Sequence, residues 1–127
     1  MPFDWNNYLT LAEDLATRTD EASKRTAISR AYYCVFNLAY ARAESSAGHK
    51  PDRESYHNWC WNKYKNTPDK LCKQLGVNGD RMKSRRVNAD YKPTDNPRLD
   101  DEVQRMLEDA RQFVRELASL QPTYPLP

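Results

Sequence analysis

Long apolar runs, glycine and paired cysteines are all scarce in this chain. The longest nearly apolar stretch, residues 31–41, includes Asn37 and falls well short of the roughly 20 residues that a membrane-spanning helix needs. Near the amino terminus, Asp4, Asn6 and Asn7 interrupt the place where a signal peptide would need an apolar stretch, so we expect none. The sequence therefore predicts a protein that does not associate with membranes.

The three cysteines do not form a recognisable metal or disulfide pattern. Cys34, Cys60 and Cys72 include no CxxC pair, and no histidine lies at metal-ligand spacing from them. Each lies in a helical pattern, where a buried cysteine behaves as a small hydrophobic residue. We therefore expect reduced thiols in a cytoplasmic protein that uses no metal and no cofactor.

Charge of one sign is not in excess either. The 127 residues include 20 basic and 18 acidic side chains, a balance too even to indicate nucleic-acid binding by itself.

Only 39% of residues are hydrophobic, but the chain has three Trp, eight Tyr and three Phe. These aromatic residues recur at helical spacing, which predicts a thin, ring-rich core. Such a chain often covers part of its apolar face with a second subunit.

Apolar residues follow a period of 3.6, and no alternating strand pattern is found. The pattern predicts an all-α, up-and-down bundle of four to five helices in one domain, residues 1–120, followed by an extended, partly mobile tail, residues 121–127. The predicted helices are 4–18, 20–45, 53–65, a short helix 68–75, 80–91 and 99–120. Gly76 is expected to end the short helix, and Asn78–Gly79 to turn the chain.

Residues 81–91 (RMKSRRVNADY) are the most informative segment. Four of its first six residues are basic: Arg81, Lys83, Arg85 and Arg86. A guanidinium binds phosphate in bidentate fashion, and the Asn88, Asp90 and Tyr91 side chains that follow could orient a ribose hydroxyl or handle a proton. The alternative is an ordinary solvated basic face, with Asp90 pairing with Arg86 one turn away.

Three short motifs resemble those of the HEPN superfamily. Residues 28–36 (ISRAYYCVF) resemble its R-A-Y-Y-x-x-F signature, and residues 85–91 (RRVNADY) resemble the R-x-x-A-D-Y form of its late motif. Residues 57–61 (HNWCW) are similar to a His-plus-aromatic stretch of some members. Helix order and length agree with that family roughly over residues 5–120.

The HEPN resemblance implies a four- to five-helix bundle that dimerises, with the late motifs of two subunits facing one cleft. Many members are metal-independent ribonucleases of toxin–antitoxin and antiviral systems. Their motif places a histidine four to six residues after an arginine. The arginine stabilises the pentacoordinate phosphate, and the histidine assists attack by the ribose 2′-hydroxyl. Arg85 or Arg86 matches that arginine, but Asp90 and Tyr91 stand where the histidine would be. A carboxylate beside two guanidiniums is a poor acid, although it can accept a proton.

Two more residues have open interpretations. His57 lies on a helix where Trp59 and Trp61 could stack on bases, or it lines the bundle without chemistry. Arg30 either projects into the same cleft or forms a structural salt bridge with a neighbouring acid.

These patterns leave three hypotheses. In the first, the chain is a dimeric, metal-independent endoribonuclease or toxin; in the second, it binds RNA or a nucleotide without turnover. In the third, it is an interaction protein that docks an antitoxin or defence-system partner. The candidate catalytic residues are Arg85, Arg86, Asp90 and Tyr91, and the candidate RNA- or nucleotide-binding residues are Arg81, Lys83, Asn88, His57 and Arg30.

Overall fold

The computed structural model describes residues 2–127, which form five α-helices and no strand. The helices are α1 (Asn6–Leu15), α2 (Glu21–Ala47), α3 (Tyr56–Asn66), α4 (Lys70–Tyr91) and α5 (Leu99–Ser119). The prediction of an all-α bundle is therefore confirmed. Within residues 2–127, no helix has both the length and the apolar character needed to cross a bilayer.

Side chains cap the starts of the two longest helices. Before α2, the Asp20 carboxylate accepts a hydrogen bond from the Ser23 amide at 2.9 Å. Before α4, the Asp69 carboxylate accepts one from the Cys72 amide, also at 2.9 Å. Both caps satisfy first-turn amides that have no partner within the helix, so these helices begin where the sequence supplies an acidic cap.

The central element is α2, which contacts α1, α3, α4 and α5. Ala27, Ala31, Ala39 and Ala43 on this helix are fully buried. Small side chains at these positions let neighbouring helices approach closely on several sides. Around it, α1 contacts α5, α3 contacts α4, and α4 contacts α5. The broad apolar stripe of α2 is therefore covered by four neighbouring helices.

The core is rich in aromatic rings, as the composition predicts. Trp61, Tyr32 and Tyr64 are fully buried, and each finds a hydrogen-bond partner for its polar atom. The Tyr64 hydroxyl donates to the Ala39 carbonyl at 2.7 Å, and the Trp61 indole donates to the Tyr32 hydroxyl at 3.1 Å. Because these polar atoms are paired, the large rings can be buried without leaving a donor unsatisfied.

The cysteines within residues 2–127 are free and buried, and no disulfide links them. Burial raises the pKa of the Cys34 thiol to about 11 and raises the pKa of Cys60 and Cys72 as well. These side chains therefore act as small hydrophobic residues, since thiolate formation is disfavoured at each of them.

One prediction is wrong, because α4 is a single helix. We expected Gly76 to end a short helix and Asn78–Gly79 to turn the chain, but Lys70–Tyr91 runs through all three residues without interruption. The residues that resemble the late HEPN motif therefore continue a helix that begins well before them.

Close packing of α3 against α4 explains both glycines. A Cβ atom on Gly79 would lie 2.6 Å from Cδ2 of the Trp61 indole, and closer still to two other ring carbons. A Cβ atom on Gly76 would lie 2.7 Å from Cγ of Lys65. The missing side chains therefore make room for α3, and this packing offsets the low helix propensity of glycine.

The C-terminal tail, residues 121–127, folds back onto α2. The Arg42 guanidinium donates hydrogen bonds at 2.5–3.3 Å to the carbonyl oxygens of Leu117, Leu120, Gln121 and Tyr124. The Ser46 hydroxyl donates to the Pro125 carbonyl at 2.8 Å. These contacts join the predicted tail to α2 and satisfy carbonyls at the end of α5.

Candidate functional site

The two segments with the clearest motif resemblance meet in space, between α2 and α4. The Ser29 hydroxyl on α2 donates to the Asp90 carboxylate on α4 at 3.3 Å, across 61 residues of sequence. The guanidinium carbon of Arg86 lies 5.7 Å from the Tyr32 ring centroid and 5.3 Å from that of Tyr33. Side chains of both segments therefore form one group.

Arg86 is the centre of this group. The residue is only 7% exposed, and its Nη1 donates to the Asp90 carboxylate at 3.4 Å, one turn along the same helix. Its guanidinium carbon also lies 5.9 Å from the ring centroid of Tyr91, which is 72% exposed. Among residues 2–127, nothing accepts a hydrogen bond from the buried Nε atom of Arg86.

A buried charged donor without a partner is costly, and an incoming acceptor removes that cost. The neighbouring tyrosine rings also attract the guanidinium, because a cation within about 6 Å of a ring face interacts favourably with it. An anion that reaches Nε of Arg86 would thus meet a preorganised donor. We refer to Ser29, Tyr32, Tyr33, His57, Arg86, Asp90 and Tyr91 together as the Arg86 cluster.

His57 joins this cluster through Tyr32. Its Nδ1 lies 2.6 Å from the Tyr32 hydroxyl, and its ring stacks on Phe36 with centroids 4.2 Å apart. Burial, together with the nearby positive charges of Arg86 and Lys83, lowers the pKa of His57 to about 4. The imidazole is therefore neutral near pH 7, whereas burial raises the pKa of Tyr32 far above its ordinary value.

The hydrogen bonds around Tyr32 indicate which ring nitrogen of neutral His57 carries the proton. Because an indole N–H only donates, the Tyr32 oxygen accepts the bond from Trp61. Among residues 2–127, Nδ1 of His57, at 2.6 Å, is the acceptor that the remaining Tyr32 hydroxyl proton can reach, so the arrangement that satisfies this proton has Nδ1 accepting. The proton of the neutral imidazole is left on Nε2, so this nitrogen donates hydrogen bonds and has no free lone pair.

The candidate residues on α4 do not all lie together. Arg85 points toward α5, where its Nη1 donates to the Asp109 carboxylate at 2.6 Å. Arg81 and Asp109 line a cleft of about 220 Å³ on that same side of α4. Asn88 lines a separate cavity of about 250 Å³ near the start of α5. The expectation that Arg85 and Arg86 share one phosphate-facing site is therefore not met, because neighbouring helix positions diverge by about 100°.

Lys83 and Arg30 flank the cluster. The Lys83 ammonium donates to the Asn58 side-chain oxygen at 3.2 Å, beside His57. The Arg30 guanidinium carbon lies 4.8 Å from the Tyr8 ring centroid and 5.2 Å from that of Tyr33. Arg30 makes no ion pair with any residue from 2 to 127. The salt bridge weighed for it is thus absent, and aromatic stacking takes its place.

The tryptophans of α3 are not available to a ligand. Trp59 is 4% exposed and Trp61 is fully buried, so both rings pack in the core and neither can stack on a base. The structure adds Ser29, Tyr32 and Tyr33 to the site, none of which was among the candidate residues. Their place in the R-A-Y-Y motif was the available signal, but only the packing of α2 on α4 identifies their partners.

Within residues 2–127, no cluster of three or more His, Cys, Asp or Glu side chains is placed to hold a metal ion. Comparisons of the chain with protein-family models, with curated proteins and with solved structures find no match.

Proposed function

We propose that this chain is a HEPN-type RNA-targeting protein that binds an RNA phosphate at Arg86. The observation that carries the proposal is the buried Arg86 guanidinium, stacked on tyrosine rings and left with one unpartnered donor, Nε. Phosphate oxygens are the acceptors that this geometry suits best, since a guanidinium offers them paired, permanently charged N–H groups. Around Arg86, His57 Nε2 and Lys83 supply further donors.

In its first form, the proposal is a metal-independent endoribonuclease that works as a cytoplasmic homodimer in a toxin–antitoxin or antiviral defence system. Arg86 would stabilise the charge that develops on the phosphate as the 2′-oxygen attacks. Asp90 is the side chain of the cluster that can accept a proton, and Tyr91 is exposed at its edge. The second subunit would close the site from the other side, which explains why a single chain leaves Tyr91 uncovered.

A specific observation favours a second form, a module that binds RNA or a nucleotide without cleaving it. Catalysis of the usual HEPN kind needs an imidazole that exchanges a proton near neutral pH. His57, with its pKa lowered to about 4 and Nδ1 occupied by Tyr32, does not supply one in the free protein. Asp90 is already engaged by Arg86 and Ser29. These contacts disfavour proton transfer by either side chain, whereas Nε of Arg86 remains a donor without a partner in residues 2–127.

The test measures binding and cleavage of labelled single-stranded RNA in EDTA. Wild-type protein should bind the RNA, with an affinity that falls as salt rises. Arg86→Gln should lose binding, and Arg86→Lys should recover only part of it, because an ammonium cannot replace the paired N–H groups. Arg105→Gln, at an exposed position on α5, is the matched charge control and should behave as wild type.

The outcomes separate the two forms. Cleavage that depends on Arg86 supports the endoribonuclease, and Arg86-dependent binding without product supports the binding module. If wild type and Arg86→Gln, both folded by circular dichroism, are equally inert in both assays, the proposal is wrong.

A further inference from the structure

Three aromatic side chains at the start of α1 form a partly exposed platform outside the Arg86 cluster. The ring centroids of Phe3, Trp5 and Tyr8 lie 5.0–5.4 Å apart, all in edge-to-face geometry. Phe3 is 52% exposed, whereas Trp5 and Tyr8 are half-buried. We refer to these three residues as the α1 platform. Its mutual ring contacts hold an apolar surface toward solvent at low conformational cost.

Arg30 connects the α1 platform to the Arg86 cluster. Its guanidinium carbon lies 4.8 Å from the Tyr8 centroid and 5.2 Å from the Tyr33 centroid, and Arg86 lies 5.3 Å from that same Tyr33 centroid. Rings and guanidiniums therefore alternate from Tyr8 through Arg30, Tyr33 and Arg86 to Tyr91. Within residues 2–127 no acid pairs with Arg30, so its charge is not neutralised by its own chain.

This alternation has the chemistry of a surface for single-stranded nucleic acid. Such surfaces combine cations that follow the phosphate backbone with rings on which bases stack, and stacking requires that the base faces be free. A duplex does not offer free base faces along its length, whereas an unpaired strand can present a base to the rings and a phosphate to each guanidinium.

We propose that the α1 platform and Arg30 form a second subsite, in which an unpaired base stacks on the rings and Arg30 holds a neighbouring phosphate of the strand bound at Arg86. The inference rests on the proposed function, because it extends the same RNA site. Asp4, the acid within the α1 platform sequence, accepts hydrogen bonds from the Asn6 amide and side chain at 3.0 Å. Its charge is thus partly satisfied locally.

Trp5 provides a direct readout of this subsite. Trp59 and Trp61 are buried, so Trp5 is the tryptophan that an RNA base can reach. Titration with an oligouridylate of about eight nucleotides, within the range that one small domain covers, should quench the Trp5 emission as binding saturates. A uridine dinucleotide, titrated alone, should bind at the Arg86 cluster and leave the Trp5 emission unchanged. The Trp5→Phe variant should bind the oligomer without the quenching.

Substitutions test separately the base stacking on the α1 platform and the phosphate contact of Arg30. Phe3→Ala should weaken the binding of the longer oligomer roughly tenfold, since one base loses its stacking partner, and should leave the dinucleotide affinity unchanged. Arg30→Gln should lower the slope of log affinity against log salt by about 0.7, as expected for one lost phosphate contact on a single strand. Leu11→Ala, an exposed apolar position on α1, is the matched control and should change neither value.

The inference and the proposed function fail in different ways. If the longer oligomer binds with full dependence on Arg86 while Phe3→Ala, Arg30→Gln and Trp5 emission show no effect, the subsite is refuted and the proposed function stands. Absence of any Arg86-dependent binding refutes both. If Phe3→Ala instead converts a dimer to a monomer and the oligomer never quenches Trp5, the α1 platform is a subunit interface and the subsite is again refuted.

Discussion

Replacing Gly79 with alanine sets helix propensity against packing, with opposite effects on stability. In an exposed helix interior, a change from glycine to alanine stabilises the folded state by about 1 kcal/mol, because glycine loses more backbone entropy on folding. In α4, however, the new methyl carbon would lie 2.6 Å from Cδ2 of Trp61. Trp61 is fully buried, so moving its ring requires neighbouring core side chains to shift.

The packing effect is the larger of the two. Overpacking a core costs about 1–3 kcal/mol, and contact with a rigid, enclosed indole places Gly79→Ala near the upper value. After the gain in helix propensity, we expect a net loss of about 2 kcal/mol in the free energy of unfolding. For a domain of this length, that loss lowers Tm by roughly 8 °C.

Equilibrium unfolding in denaturant measures this loss directly. Ser84→Ala, at an exposed position on the same helix, gains helix propensity without a packing cost and should match or slightly exceed the wild-type stability. Combining Gly79→Ala with Trp61→Phe should reduce the loss, since the smaller ring leaves space, and a double-mutant cycle would report coupling of about 1 kcal/mol. If Gly79→Ala raised the denaturation midpoint as much as Ser84→Ala, the close approach of Trp61 to α4 would be contradicted.

Two further predictions concern His57 and Arg42. The pKa of His57 is about 4 in the folded chain and about 6.5 in an unfolded chain, so the unfolded state binds more protons between these limits. The contribution of His57 to stability is therefore complete above pH 6.5 and is lost as pH falls toward 4. In denaturant titrations, the free energy of unfolding of His57→Asn should fall less than that of wild type between about pH 7 and about pH 5. Equal losses would argue against a buried neutral imidazole. Arg42→Ala removes the guanidinium that donates to carbonyls at the end of α5 and in the tail, and should cost about 3 kcal/mol in the same assay. The exposed control Arg105→Ala should stay within about 0.5 kcal/mol of wild type, and a similarly small effect for Arg42→Ala would show that the tail does not depend on it.

Much of the helical pattern could be predicted because its signals are local. Asp20 marks the start of α2 through a cap that reaches only three residues ahead. The apolar spacing of α5 predicts both its length and its buried face. Gly76 and Gly79 were misinterpreted, because glycine has low helix propensity and commonly ends helices. At these positions the absence of a side chain serves packing against α3, which no local pattern indicates.

The candidate site was predictable in part. The motif resemblance identified Arg86, Asp90 and Tyr91, which lie together, and also His57, which reaches the same cluster through Tyr32. It did not separate Arg86 from Arg85, because both matched the same motif position. The difference between them is which neighbouring helix each side chain meets.

The amino-acid sequence by itself determined the all-α class, the capped helix starts, the central apolar stripe of α2 and the ring-rich core. These features follow from the spacing of apolar residues and from side chains that act within one or two turns. Only the tertiary structure decided that α4 is continuous, that Arg86 is buried while Arg85 pairs with Asp109, and that Arg30 stacks on tyrosines instead of pairing with an acid. Each of these depends on residues far apart in the chain, whose contacts exist only once the helices have packed.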